Sequence, residues 1–243
     1  MELAKRHGIG FCTIKNSNHF LSAAPYVSRA SEEGYFAMIF TRTNPCMGIT
    51  NGDKSLIGNG PMGFATETDK GYPIMLDICL AYASYGKLNA MSAVGEKVPI
   101  HWGADTSGNP TTNPNEIKDG GVPYSIGGHK GFGLVLMLEI LTGILSGGQV
   151  IDETNPLFEK GTGVYSQTAI VIKVDELVSI QDYREKVSDM INRLNERSPG
   201  IGIPGKASFE KKKRFEEEGS ILLKSELIEK LNQRAEKFNI DPL

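Results

Sequence analysis

The chain has 243 residues, of which 40% are hydrophobic and 23% charged, with a formal net charge of −3 at pH 7. That balance supplies a real core, for one large domain or two modest ones, and leaves little room for extensive disorder. A sequence pI near 5.9 gives no electrostatic footprint for nucleic acid, and no apolar run approaches the roughly 20 residues that span a bilayer, so the expected partner is a small molecule.

Residues 1–7 read as a helix stopped by Gly8. At about two turns, with no N-cap, it is marginal by itself, as though its first half lay further upstream. A buried strand follows at 10–14, then the polar turn 15–18 and a helix carrying Ala23, Ala24, Tyr26, Val27 and Ala30, ended by Gly34. Another strand is expected at 35–40. The stretch 41–60 holds Asn44-Pro45, Asn51-Gly52 and Asn59-Gly60-Pro61, all turn formers, and a connection that long is usually functional. Residues 64–66 and 74–77 bracket a polar turn and suggest an antiparallel pair; 81–91 reads as helix and 98–121 as irregular surface chain. An apolar helix runs to Leu145, and the β-branched run 168–174 is the clearest strand. Residues 181–195 form an amphipathic helix and 206–218 a charge-dense one, and Ser225 is placed to cap a last helix to Phe238. Cys12, Cys46 and Cys79 are odd in number, widely spaced and set among apolar neighbours. They suit buried thiols in a reducing, cytoplasmic setting better than a disulfide framework or a zinc site.

The segment Gly127-Gly128-His129-Lys130-Gly131-Phe132-Gly133 sets a flexible cationic loop against a helix start. Unsatisfied N–H groups of a first turn carry partial positive charge, glycines admit a ligand to the backbone, and Lys130 adds a full charge, so a phosphate-bearing cofactor fits there. The competing reading is that the glycines only let a buried helix pack closely. Among four histidines, His7 and His101 read as structural or surface groups. His19 follows a strand and a hydrogen-bonding turn, where α/β proteins place reactive groups, and an imidazole there can exchange a proton with a carbinol; it can equally be a cap or packing group. Residues 200–206 match the first seven positions of a phosphate-loop pattern, but Ala207 lacks the magnesium-binding hydroxyl and the preceding residues make a poor strand. No GxGxxG follows a strand and no His/Cys/Asp/Glu spacing suggests a metal site.

Taken in order, the motifs resemble the malate/L-lactate dehydrogenase family that lacks a Rossmann fold. They are HGIG from His7, SNHF from Ser17, the turn Thr43-Asn44-Pro45, Leu76-Asp77 with Gly86-Lys87, Trp102-Gly103-Ala104-Asp105, the GGHKGFG loop, and Gly202-Ile203-Pro204-Gly205. The resemblance covers about residues 1–225, with a C-terminal helix at 226–243, and implies a mixed-sheet α/β nicotinamide-binding fold whose cofactor part lies within about 10–175. It implies hydride transfer between NAD or NADP and a small 2-hydroxy or 2-oxo acid such as malate or lactate, by a homodimer. By the same resemblance His19 transfers protons. The cofactor then contacts Thr43, the run Ile78, Cys79, Leu80, Ala81, Tyr82, Ala83 and Ser84, the pair His129 and Lys130, and Gly205, Lys206 and Ala207. The chain departs from the family's usual residues at Leu21 (glycine), at Leu80-Ala81 (Thr-Ser), at Asn59-Gly60 (Thr-Asn) and at Lys206 (acidic). The family's N-terminal quarter, which holds a catalytic histidine in some members, has no counterpart here, so an N-terminally truncated form is expected. A catalytically silent cofactor-binding or dimer-partner protein is the alternative.

Overall fold

The computed structural model describes residues 1–154, 162–223 and 225–243, grouped in two compact units, Met1–Gly205 and Lys206–Leu243. The first is built on a five-stranded sheet in the order β1-β7-β2-β3-β4. Its strands are β1 (Ile9–Ser17), β2 (Tyr35–Arg42), β3 (Met62–Thr66), β4 (Ile74–Ile78) and β7 (Tyr165–Lys173). Every pairing in this sheet is antiparallel. A parallel contact exists at the isolated bridge between Gly48 and Tyr124. A small ribbon joins β5 (Gly103–Ala104) to β6 (Val122–Pro123).

Strand alternation decides what covers each face. Along β2, Ala37 and Ile39 point to one side, where they meet Ala23, Val27 and Ala30 of the region around α2 (Ala24–Ser31) and Ala4 of α1 (Glu2–His7). Phe40, with Met38 packed beside it, points to the other side, against Val135 and Leu138 of α5 (His129–Glu139). Period-2 strands and period-3.6 helices thus meet in two apolar layers, and each buried Leu or Val contributes roughly 1.5–3 kcal/mol. Gly63 permits the close approach on the α2 face, since a Cβ there would stand 2.5 Å from the Ala23 Cβ.

The strands at 10–14, 35–40 and 168–174 exist but run longer or start earlier than expected, and the first, expected to be buried, is a mostly exposed edge strand on which Phe11 and Ile14 are open to solvent. The helix expected at 81–91 starts late: α3 is Tyr85–Ala93, capped by the Ser84 hydroxyl, which accepts the Lys87 N–H. Residues before it are extended because Tyr82 N–H donates to Tyr124 O and Ala81 bridges Ser125. The irregular span at 98–121 includes α4 (Pro114–Lys118), with Asn113 as cap. The apolar helix ends in a π turn, Ile140–Ile144. Cys12, expected to be buried, is exposed on β1; Cys46 and Cys79 are half-buried, and all three are free. Residues 181–195 lie within α6 (Ile180–Arg197), and 200–205 follow that helix rather than a strand, which removes the phosphate-loop geometry. The second unit holds α7 (Lys206–Glu218) and α8 (Ser225–Lys237); the residue before Ser225 lies outside the described residues.

Candidate active site

Strand direction brings the candidate residues together. In this antiparallel order, β1, β2 and β4 end where β3 and β7 begin, so each strand delivers a residue to one end of the sheet. His19 follows β1, Thr43 follows β2, Pro61 precedes β3, Ile78 closes β4 and Tyr165 opens β7, and all five line a cleft of about 840 Å³. The cleft is also lined by Cys79, Ala81, Tyr82, Ala83 and Ser84, then by Tyr85, Gly86 and Lys87 at the start of α3 (Tyr85–Ala93), and by Trp102. A cavity of this size admits a drug-sized or nucleotide-sized portion of a ligand.

The His19 turn is held from several sides. Asn18 accepts the Gly163 N–H at 2.9 Å, and the His19 ring stands edge-on to Tyr165 with centroids 5.9 Å apart. Leu21 N–H donates to His19 Nδ1 at 2.9 Å. An Nδ1 that accepts cannot carry the proton of a neutral ring, so in that form Nε2–H is the ring's donor, on a residue that lines the cleft. The turn requires Leu21 to adopt φ 69°, the left-handed region that favours glycine. This explains why the family usually has glycine there. Since Leu21 is 84% exposed, its side chain offers little burial in return. Leu21→Gly is therefore expected to stabilise the fold by about 0.5–1 kcal/mol, the relieved strain exceeding the added unfolded-state entropy. Urea unfolding reads this directly, and a loss of stability would show that the leucine side chain holds the turn.

Asp77, at the edge strand, reaches across to α2. Its Oδ2 accepts the Ser22 hydroxyl and, at 2.9 Å, the Ala24 N–H. A carboxylate at a helix N-terminus is favourable. This fixes the chain just after His19 and occupies that oxygen of Asp77. On the opposite side, the Thr43 hydroxyl donates to Asn59 Oδ1 at 3.1 Å and accepts the Asn59 N–H at 3.2 Å. That pair pins the long loop to the end of β2. Gly60, at φ 52°, lets Val135 of α5 approach to within 2.8 Å of where a Cβ would stand. Both cysteines of the cleft are held as neutral thiols: burial pushes the Cys46 thiol up to about 11 and raises Cys79 as well. They are poor nucleophiles in this setting.

Other expected residues lie elsewhere. Leu80 turns into the core, while its N–H donates to Asn59 O and its carbonyl accepts the Ile126 N–H. Gly205 packs on the edge of β4, where its conformation (φ 90°) leaves only 2.8 Å to Met75. Lys206 and Ala207 open α7 in the second unit. His129 and Lys130 are exposed at the start of α5 and do not line the cleft. The expected free N–H groups are largely taken: Lys130 N–H donates to Gly127 O, Gly131 N–H to Ile126 O and Phe132 N–H to Gly128 O. Gly127 and Gly128, both near φ 60°, curl the loop back on the helix to make this possible. Gly131 is a close-approach glycine, since a Cβ would lie 2.2 Å from the Ile126 carbonyl oxygen. Attraction for an anion here therefore comes from the Lys130 side chain more than from the backbone. The extended run through Leu80 and Tyr82, bonded to Tyr124 and Ile126, connects this loop to the cleft wall.

The family described as malate/L-lactate dehydrogenase matches residues 1–232. The chain belongs to the malate/L-lactate dehydrogenase family. Within it, the malate dehydrogenase of Pyrococcus horikoshii is 32% identical over 252 residues, covering 99% of this chain and 69% of that protein. The (2R)-3-sulfolactate dehydrogenase (NADP(+)) of Chromohalobacter salexigens is 30% identical over 203 residues, covering 84% of this chain and 60% of its own length. The solved Pyrococcus horikoshii malate dehydrogenase superposes with a TM-score of 0.85 at 30% identity, over 100% of this chain and 69% of that one. The family fold is thus a sheet of antiparallel strands and not a doubly wound dinucleotide fold, in agreement with the missing GxGxxG motif.

Asn59, Asp77, Lys87, Trp102 and Tyr165 line the site without having been singled out as site residues by sequence reasoning. Asp77 and Lys87 carried a signal, as polar ends of two family motifs. Tyr165 carried none, because only the strand pairing brings it to His19.

Proposed function

We propose that this chain is a nicotinamide-dependent oxidoreductase that interconverts a small 2-hydroxy acid and its 2-oxo acid, of the malate or lactate type, with NAD or NADP as coenzyme. The reading is supported by the convergence of His19, Thr43, Ile78, Cys79 and the run Ala81 to Ser84 in one cleft of a member of this family. The coenzyme supplies hydride exchange at its nicotinamide ring. In the reduction direction His19 Nε2–H donates to the substrate carbonyl oxygen as negative charge develops on it. Thr43 and the 78–84 wall position the ring-bearing end, and the hydroxyl of Thr43 is held by Asn59. Lys130 and His129, at the end of the Tyr124–Ile126 run, hold the phosphate end. The coenzyme part lies mainly within about residues 10–175 of a 1–225 dehydrogenase region, with Gly205 of the same compact unit as a further contact.

The working form is a homodimer. Support comes from Leu134, Met137, Ile140, Ile144 and Leu145, exposed along α5 and the π turn, an apolar strip that a second copy would cover. Three free thiols fit a reducing cytoplasm. No helix among the described residues is long and apolar enough to cross a membrane, and no group of three metal-binding side chains occurs among them.

The test pairs a titration with NADH and NADPH against turnover with oxaloacetate and pyruvate. Trp102 is the sole tryptophan and lines the cleft, so energy transfer from it to the reduced nicotinamide reports binding in that cavity. Binding without turnover would favour a silent coenzyme-binding partner, and absence of both would end the reading. Lys130→Ala is expected to weaken coenzyme binding by about 1.5–3 kcal/mol, the range of a hydrogen bond to a charged group. Unchanged affinity in that titration would remove Lys130 from the site.

A further inference from the structure

We infer that Lys87 is the residue that grips the carboxylate of the substrate and thereby selects 2-oxo and 2-hydroxy acids over neutral carbonyl compounds. The inference rests on the proposed dehydrogenase reading and adds to it a specific group for the acid. A small anionic substrate entering a largely apolar cavity needs a compensating charge, because an unpaired carboxylate removed from water is costly. Lining this cleft are three charged or readily charged side chains, His19, Asp77 and Lys87. Asp77 has the wrong sign and is tied to Ser22 and the first turn of α2. His19 has Nδ1 occupied by Leu21 N–H and only Nε2 remaining for the reacting oxygen. Lys87 is exposed, and among the described residues its ammonium has no ion pair or hydrogen bond; only its backbone N–H is engaged, on the Ser84 hydroxyl. It is therefore the one full positive charge that the cleft presents without a partner.

Its placement fits the division of labour in the cleft. Lys87 stands on the first full turn of α3, directly after the wall from Ile78 to Ser84, on a helix fixed by the Ser84 cap and by Leu88, which is fully buried. A long side chain rooted on a rigid helix can place an ammonium as a point charge at the cleft that this residue lines. Lys130 and His129 lie outside the cleft lining, so the phosphate end of the coenzyme and the carboxylate of the acid draw on different cations.

The experiment compares Lys87→Ala, Lys87→Arg and the parent chain by three readouts: coenzyme affinity from Trp102 energy transfer, KM and kcat for the 2-oxo acid, and quenching of Trp102 by oxamate, a non-reacting carboxylate. Lys87→Ala is expected to raise KM and weaken oxamate binding by roughly tenfold to a hundredfold, with coenzyme affinity unchanged and kcat affected less than KM. Lys87→Arg is expected to recover much of the loss, which a merely structural lesion would not do. A rise in the coenzyme dissociation constant with KM unmoved would make Lys87 a phosphate ligand and overturn the inference, as would no change in any readout. If the parent chain turns over no 2-oxo acid, the dehydrogenase reading fails by itself. Oxamate quenching, measured with and without NADH, then still decides on Lys87: quenching lost in Lys87→Ala supports it, and no quenching of the parent overturns it.

Discussion

Glu139→Ala is expected to cost the fold about 3–5 kcal/mol, because it leaves a charged arginine buried without its counter-ion. Arg42 is fully buried, and its Nε lies 3.1 Å from Glu139 Oε1, itself 5% exposed. The two remaining guanidinium nitrogens donate to the carbonyls of Val164 and Ile151, and Glu139 also accepts the Ile151 N–H. The cluster therefore joins the end of β2, the C-terminal end of α5, the turn at Ile151 and the residue before Tyr165. Two of these segments deliver cleft residues, since Thr43 follows Arg42 and Tyr165 follows Val164. Urea unfolding of Glu139→Ala should show the loss, and Arg42→Met combined with an apolar residue at 139 should recover most of it. A single variant within about 1 kcal/mol of the parent would mean that water already reaches the guanidinium and that the pair is not what anchors these segments.

His19→Asn is expected to lower kcat by about a hundredfold to ten-thousandfold, the usual span for losing a group that handles charge on a reacting oxygen. Coenzyme affinity should stay as in the parent chain, since the imidazole sits on the β1 side of the cleft, beside Tyr165 and Leu21. The measurement is steady-state turnover with the 2-oxo acid alongside the Trp102 energy-transfer titration. Turnover within a few-fold of the parent would strip His19 of its chemical role and leave it as a packing partner of Tyr165.

The fold was readable wherever local chemistry decides it. β2 and β7 announced themselves by aromatic and β-branched runs and β3 and β4 by the polar turn between them, and Gly8 and Gly34 marked helix ends where left-handed backbone was required, at φ 75° and 85°. The helix start near Ser84 was misplaced because an alanine-rich stretch favours helix locally, while Tyr82 N–H and Ala81 are recruited by the distant run at Tyr124 and Ser125. Tertiary pairing overrode propensity there. His19 and Thr43 were named through the family resemblance of their motifs, and the structure brings both to the lining of one cleft. Arg42 and Glu139 were not paired in advance, although a lone carboxylate inside an apolar helix is itself a sign of a buried partner. The departures from the family become intelligible in three dimensions. Leu21 strains a glycine position, whereas Gly60 meets a left-handed requirement that asparagine, common there in the family, also tolerates.

The position of β7 has a consequence for how the molecule comes into being. β7 lies between β1 and β2, pairing Phe11 with Ile170 and Phe36 with Ile172, so a strand near residue 170 joins strands made more than a hundred residues earlier. Closure of so large a loop is slow relative to hairpin formation, and β2–β3–β4 can assemble while the other margin of β2 still waits. Tyr165 reaches His19 only when that late strand zips in. Catalytic competence should therefore emerge with the slowest refolding phase, after most secondary structure has formed.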